Sequence, residues 1–512
     1  MAIPRVASFA DVPSLRSKLA ESSGTLLLLA ICLLPVLLYL PFLTEPFDRD
    51  EGAYATIAQA VLRGELPYRD YFDHKPPLIY GWFAASFQLF GETVVAPRLM
   101  AALVWSATAL VVFAEANLLF TRRTAYWAAG IFAASSGLAM LQASANTEAF
   151  MLLPLTASLY AATRAFKDDS WRWFLAAGAL GAAATLTKQV AIVNLAALGS
   201  LCVASAIARH DIRRGVVMTA ALTGGAVGVV GLCLLPFALT HSLGDFYYAN
   251  LTYNHLYSSE TSIGQRLNFE INGAYFFGIA AAPLLVGTSV STVLLARRHL
   301  SLLALLPLGW VLATQAGAML SGRAFPHYYV ALLPPMALMT GWFVSHFAET
   351  ERLRLPIFSA LVLSLIVCVL FNAPAYTAST PNQKHLARFP DWYAAPQIVS
   401  MAVAERVAQL TTPDQPVYNF GRETQVYFYA HRKPAIRFMY DRPFSLDPST
   451  FNEAMADLER APPALIFDSV SERSDPDWEA NHPQALREFL AAHYAFVQRV
   501  EFADIYLLQA QP

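Results

Sequence analysis

Apolar runs of about twenty residues recur along this chain, and no other feature constrains its fold as strongly. A helix needs roughly that length to cross about 30 Å of hydrocarbon. Lipid leaves a spanning backbone only the helix or the closed barrel, because no water is there to satisfy its polar groups. About eleven runs are predicted as transmembrane helices, at 24–43, 96–120, 124–141, 147–165, 172–187, 190–208, 215–239, 272–296, 300–320, 328–347 and 355–373. Pro41, Pro236 and Pro374 stand near run edges, where a missing backbone N–H costs least. Arg5, Arg16 and Lys18 precede the first run. No small-residue cleavage site closes it and ten more runs follow, so it is expected to be a retained span rather than a signal peptide. Charged residues make up 14% of the 512 and hydrophobic ones 56%, against about 25% charged in a soluble chain. A net charge of -2 gives no reason to expect nucleic acid as a partner.

Lys and Arg orient the spans. With residues 1–23 in the cytoplasm, alternate connections carry Arg122-Arg123, Arg164/Lys167/Arg172, Arg209/Arg213/Arg214, Arg297-Arg298 and Arg352/Arg354, which with the N-terminal three makes 15 basic residues inside. The outward side before residue 374 has eight. This alternation predicts a membrane domain over 24–373, with 44–95 as its first outer loop, and an outward location for 142–148, 240–271, 321–327 and 374–512. Cys32, Cys202, Cys233 and Cys368 all fall in apolar runs, so no disulfide framework is expected outside.

Residues 374–512 change character, with 17 acidic and 12 basic residues and no run long enough to span. "PVYNF", "PALIFDS", "AFVQRV" and "DIYLLQ" are predicted strands; "APQIVSMAVAERVAQL" and "NHPQALREFLAAHY" are predicted helices. A small α/β extracytoplasmic domain follows, without a phosphate-binding loop, zinc spacing or nucleophile elbow. It is expected to be a lid or docking domain.

The first outer loop is the most informative stretch. It holds seven carboxylates between residues 45 and 73 and a His74-Lys75-Pro76-Pro77 corner. "DEGAYATIAQAVL" has its apolar residues at helical spacing and Gly64 beyond its end. Asp50 and Glu51 stand at its start, where the helix dipole favours anions, so Glu51 has capping as its other reading. Pro76-Pro77 would open a second surface helix. Tyr68, Tyr71, Phe72, Tyr80 and Trp82 suit a membrane interface. Five carboxylates, Glu45, Asp48, Glu65, Asp70 and Asp73, are expected to keep the loop solvated. Glu148, Lys188, Arg323, Tyr328 and the polar stretch Asn250–Tyr257 converge on the same side. Outward cations oppose the positive-inside bias, and ionisable groups near bilayer depth are functional candidates. A lipid phosphate is the anion native to that depth.

"DEGAYA…PYRDYFDHKPPL…LFG…APRL", "NTEAF", "LTKQ" and "FPHYYVALLPP", in that order, resemble the GT-C glycosyltransferases that use polyprenyl-phosphate sugars. The similar branch is the bacterial one related to protein O-mannosyltransferases and the lipid A aminoarabinose transferase. The resemblance covers roughly residues 20–375 and implies a GT-C-like polytopic fold. It implies Asp50 as the catalytic carboxylate and matches Glu148 to an acidic residue at the outer end of a span; Glu148 and, by its position beside Asp50, Glu51 are further catalytic candidates. It implies Lys75 and Tyr328 near the donor phosphate, and the outward cations Lys188 and Arg323 are expected to join them there. His74 stands where the aminoarabinose transferase has an acidic metal ligand, and His255 near its histidine ligand. A divalent metal, zinc or magnesium, or none at all, are both compatible with that pair, since zinc accepts His and carboxylate alike. Ala53 stands where that branch has Arg, which leaves the sugar open.

The implied reaction moves a sugar from a polyprenyl-phosphate donor to an acceptor hydroxyl of a lipid, glycan or protein at the outer face of the cytoplasmic membrane. A carboxylate takes the hydroxyl proton, and cations stabilise the departing phosphate. One base and direct displacement invert the anomeric centre. The alternative is a transporter or flippase for a lipid-linked sugar. Against it, the sequence has no internal repeat and no paired broken spans.

Overall fold

Six helices among the described residues are long and apolar enough to cross a membrane: Ser23–Phe42, Val95–Leu119, Thr147–Asp168, Gln189–Ala208, Ile212–Leu239 and Leu355–Thr377. The computed structural model describes residues 15–141, 144–297, 306–347, 354–470 and 482–509. Arg5, Arg298, Arg352 and the start of the run at 300–320 lie outside them. A pair bent by 96°, Ile263–Ala280 and Ala282–Arg297, makes a seventh crossing if counted as one span. The protein is a polytopic α-helical membrane protein, but eleven spans is an overcount.

The overcount has a physical cause. Several apolar runs form helices too short to cross alone. Arg122–Ser135 has 14 residues, about 21 Å at 1.5 Å per residue. Trp171–Thr187 has 17 and stops at Lys188, whose backbone is extended. The run at 328–347 divides into a 3-10 stretch, Pro326–Leu332, and a 13-residue helix, Leu333–Ser345, with prolines in its first turn. Their hydrophobicity serves helix packing: every residue of Leu333–Phe343 is buried. The helices that do cross show the opposite signature, with Leu232 73% and Leu370 68% exposed, as lipid-facing residues are when no lipid is present.

The first outer loop is folded inward. Helix Arg49–Leu62 is capped by Asp48, whose side chain accepts from the Glu51 N–H while the Glu51 carboxylate accepts from the Asp48 N–H. This capping box satisfies two orphan donors. The helix ends where Gly64 takes φ +86°. A second helix, Leu78–Phe90, follows Pro76-Pro77. The interfacial role expected for the aromatics fails for Tyr68, Phe72 and Tyr80, which are fully buried. Phe72 packs against Tyr248, Tyr253, Phe438 and Tyr440 at 5.1–6.4 Å between ring centroids. Aromatic rings gain more from such an enclosed cluster than from a headgroup layer. The solvating role fails likewise for Glu45, Asp48 and Asp73, which are 0%, 2% and 3% exposed.

Residues 391–508 hold a four-stranded sheet of order β1-β2-β4-β3. β1 (Val417–Phe420) pairs in parallel with β2 (Leu465–Asp468), β2 is antiparallel to β4 (Ala503–Leu508), and β4 is antiparallel to β3 (Tyr494–Val500). Helices Asp391–Leu410, Pro448–Arg460 and Gln484–His493 accompany it. The loop and this region are bolted together. Glu45 is gripped by Arg388 and His385, and Arg49 meets Glu423 at 2.6 Å. Gly52 faces the backbone of Gln425 so closely that any Cβ would collide with it.

Candidate active site

A cavity of about 740 Å³ lies where four parts of the chain meet: the first outer loop, the start of helix Thr147–Asp168, residues 323–330 and the C-terminal region. Asp50, Lys75, Glu148, Arg323 and Tyr328 line it, and so do Asp73, His74, Tyr440 and Arg442.

Asp50 is carried in by the first turn of helix Arg49–Leu62. Its side chain is 44% exposed, and its Oδ2 lies 3.6 Å from Lys75 Nζ and accepts from Tyr54 Oη at 3.4 Å. One carboxylate oxygen thus stays open to the cavity. Its neighbour Glu51 has the opposite fate. Glu51 does not line the cavity; it is buried against Arg98, which donates Nη2 and Nε at 2.6 and 3.1 Å. The Ala145 N–H also donates to it at 2.7 Å. Its lone pairs are committed to structure.

The His74-Lys75 corner is fixed from all sides. The His74 carbonyl accepts from Gln189 at 2.8 Å and Asn254 at 2.9 Å. The Lys75 carbonyl accepts from Tyr68 at 2.7 Å and Tyr80 at 3.2 Å. Burial opposes the charge on Lys75, but Asp50 and Asp73 more than offset it and raise the ammonium above the ordinary lysine range. Burial would raise Asp73 too. The hydrogen bond from the His74 ring and the positive charge beside it hold that carboxyl at about 2. Burial, then the Lys75 charge, lowers the His74 imidazole below its ordinary value.

Glu148 lines the cavity from the first turn of its helix. It is ion-paired with Lys188, accepts from Thr147 at 2.8 Å and stands 3.7 Å from His327. Lys188 does not line the large cavity. It sits behind Glu148 and Tyr328, its ammonium 3.7 Å from the centre of the Tyr328 ring. Arg323 and Arg442 share one partner, Glu260, with Arg323 at 2.5 Å. Arg323 also stacks over Tyr257 at 4.4 Å.

The structure does not bring His74 and His255 together as ligands. His255 is exposed and outside the cavity. His74 faces Asp73 through Nδ1 and Lys75 through Nε2, so neither ring nitrogen is free for a metal. Among the described residues, no group of three His, Cys, Asp or Glu side chains is placed to hold a metal ion. The proposed pair does not fit zinc or magnesium.

Sequence reasoning missed Asp73, Glu260, Tyr440, Arg442 and Arg98. Arg98 was visible as the charge of "APRL" inside an apolar run. Tyr440 and Arg442 carried no signal, since only the folded chain brings residue 440 to residue 73.

Residues 74–235, under half of the chain, match the family described as dolichyl-phosphate-mannose-protein mannosyltransferase. No protein of curated function matches the sequence. Among solved structures, ArnT from Cupriavidus metallidurans in the apo state is similar at 17% identity, with a TM-score of 0.59 over 95% of this chain and 98% of that one. The same protein bound to undecaprenyl phosphate matches at 0.53 over the same shares. The archaeal oligosaccharyltransferase AglB from Archaeoglobus fulgidus, with an inhibitory peptide and a dolichol phosphate, matches at 0.52 and 12% identity, over 96% of this chain and 74% of that one. At such identities the likeness is one of fold.

Proposed function

We propose that this chain is a GT-C-like inverting glycosyltransferase that moves a sugar from a polyprenyl-phosphate donor to an acceptor hydroxyl, a reading that its likeness of fold to ArnT and AglB supports. One observation carries the proposal. A half-exposed carboxylate, Asp50, and a buried ammonium, Lys75, stand 3.6 Å apart on the wall of one cavity. ArnT is known bound to undecaprenyl phosphate and AglB in complex with a dolichol phosphate, and a lipid phosphate is the anion this pair suits.

In the reaction, Asp50 takes the proton of the acceptor hydroxyl. The acceptor oxygen forms a bond to the anomeric carbon from the face opposite the phosphate. The bond from that carbon to the phosphate oxygen breaks, and polyprenyl phosphate leaves with the electron pair. Charge grows on that oxygen as the bond lengthens, and fixed cations there lower the barrier most. Lys75, Arg323 and Arg442 supply them, with Tyr328 beside them. Glu148, in this wall, and Lys188, behind it, neutralise each other and hold its shape. Glu51 fixes the helix that carries Asp50. The ligand pair at His74 and His255 does not fit a metal, so no step runs through one. The site and residues 391–508 face the exterior of the cytoplasmic membrane in this reading, with the acceptor an envelope lipid, glycan or protein.

Proteoliposomes of the purified chain, loaded with lipid-linked sugars extracted from bacterial membranes, test the proposal. Transfer of labelled sugar to an envelope fraction is expected. Movement of the donor between leaflets without transfer would instead make the protein a flippase.

A further inference from the structure

We propose that His74 is a positioning residue: its imidazole bridges the Asp73 carboxylate to the Lys75 ammonium and aims that ammonium into the cavity. The inference rests on the reading of Lys75 as a donor-phosphate partner.

The polarity of the bridge follows from its ends. Asp73 collects donors at both oxygens. Oδ1 accepts from the His74 backbone N–H at 2.7 Å and from Tyr440 Oη at 3.2 Å; Oδ2 accepts from Tyr80 Oη at 3.0 Å. A carboxylate 3% exposed and so surrounded is an acceptor only. His74 Nδ1 lies 3.2 Å from the same Oδ1 and 3.4 Å from Tyr440 Oη, whose own proton goes to Asp73; both neighbours can only accept, so Nδ1 carries the ring proton. Nε2 is then a lone pair, and Lys75 Nζ lies 3.1 Å from it. An ammonium has donors and no lone pair. The chain therefore runs one way: Lys75 donates to His74, and His74 donates to Asp73.

The arrangement has a use. A lysine is a point charge on a flexible stem, so a phosphate partner on such a stem loses orientation unless something fixes it. One of the three Lys75 protons is held by His74. Another faces Asp50 at 3.6 Å, and the third is left for a ligand. The ring cannot swing away. Tyr253 and Tyr257 flank it, each 5.3 Å between centroids, and Tyr440 Oη stands 3.4 Å from Nδ1. Tyr440 belongs to the C-terminal region, so that region helps set the direction of the ammonium.

The test is binding of undecaprenyl phosphate to the full-length chain in detergent, with Lys75→Ala, His74→Asn and His74→Gln compared with wild type. Asn keeps a donor where Nδ1 was and loses the acceptor. Gln places an acceptor where Nε2 was. Lys75→Ala should weaken binding by about tenfold or more, as expected for a lost hydrogen bond to a charged group. His74→Asn should weaken it by several-fold and His74→Gln by less than about twofold, with equal thermal midpoints for the two. If Lys75→Ala is weak but the two His74 variants bind alike, the bridge is wrong. If Lys75→Ala binds as wild type, the phosphate reading fails and takes the bridge with it. Nitrogen NMR of the unmutated protein is independent of any variant's folding. It should show His74 protonated on Nδ1 and bare on Nε2; the opposite tautomer overturns the proposal.

Discussion

Asp50 and Glu51 are adjacent carboxylates with different work, and only burial tells them apart. Both were visible as acids at the start of a helix, and the resemblance marked Asp50. What the sequence could not show was Arg98, forty-seven residues later, closing on Glu51 at 2.6 Å. Removing one partner of a buried pair typically costs about 3–5 kcal/mol, because it strands the other charge. Glu51→Ala should therefore lower yield and thermal midpoint sharply in detergent. A well-folded Glu51→Ala protein that lost only turnover would return Glu51 to the chemistry. Asp73 makes a pH prediction. Its carboxyl sits at about 2 in the folded chain, against about 3.9 in an unfolded one. The ionised form thus stabilises the fold above about pH 4, and that contribution is lost as pH falls towards 2. The thermal midpoints of wild type and Asp73→Asn should differ at pH 7 and converge through that window. A gap constant down to pH 2 would mean that the carboxylate's charge is not what matters.

At the scale of elements, hydrophobic length was legible and its use was not. The runs at 147–165 and 355–373 stand out in the sequence, and they form helices of crossing length, Thr147–Asp168 with 22 residues and Leu355–Thr377 with 23. Arg122–Ser135 and Leu333–Ser345 are as apolar locally, yet they pack within the bundle, and a run of Ala, Gly and Phe does not announce which it will do. The strands were legible because short apolar stretches bounded by Pro, Gly and Asp leave few alternatives: β1 and β2 are buried at every position. The first outer loop was misjudged as a surface layer because Tyr and Trp suit both an interface and a core. Gly52 shows which is right, since it touches Gln425 from the far end of the chain. Gly52→Val should overpack that contact at a cost of about 1–3 kcal/mol, read as a lower thermal midpoint. An unchanged midpoint would mean that the loop and the C-terminal region are not packed together in solution.

For the whole molecule, the C-terminal region forms part of the wall of the cavity. Tyr440 and Arg442 reach the same space as Asp50 and Lys75, so this region and the first outer loop must share one side of the membrane. A C-terminal alkaline phosphatase fusion should be active and a C-terminal fluorescent-protein fusion dark; the reverse would place the cavity in the cytoplasm. The central claim is that the intact protein transfers sugar with Asp50 as base. Loss of a general base typically costs about 10²- to 10⁴-fold in rate. The direct measurement is single-turnover transfer from a lipid-linked sugar by three purified proteins in liposomes: wild type, Asp50→Asn and Asp70→Asn. Asp70 lies in the same loop, bound to Arg69 at 2.6 Å and outside the cavity. Asp50→Asn should retain donor binding and lose at least about a hundredfold in rate, while Asp70→Asn stays within a few-fold of wild type. Equal rates for the two variants would contradict the account and remove Asp50 from the mechanism.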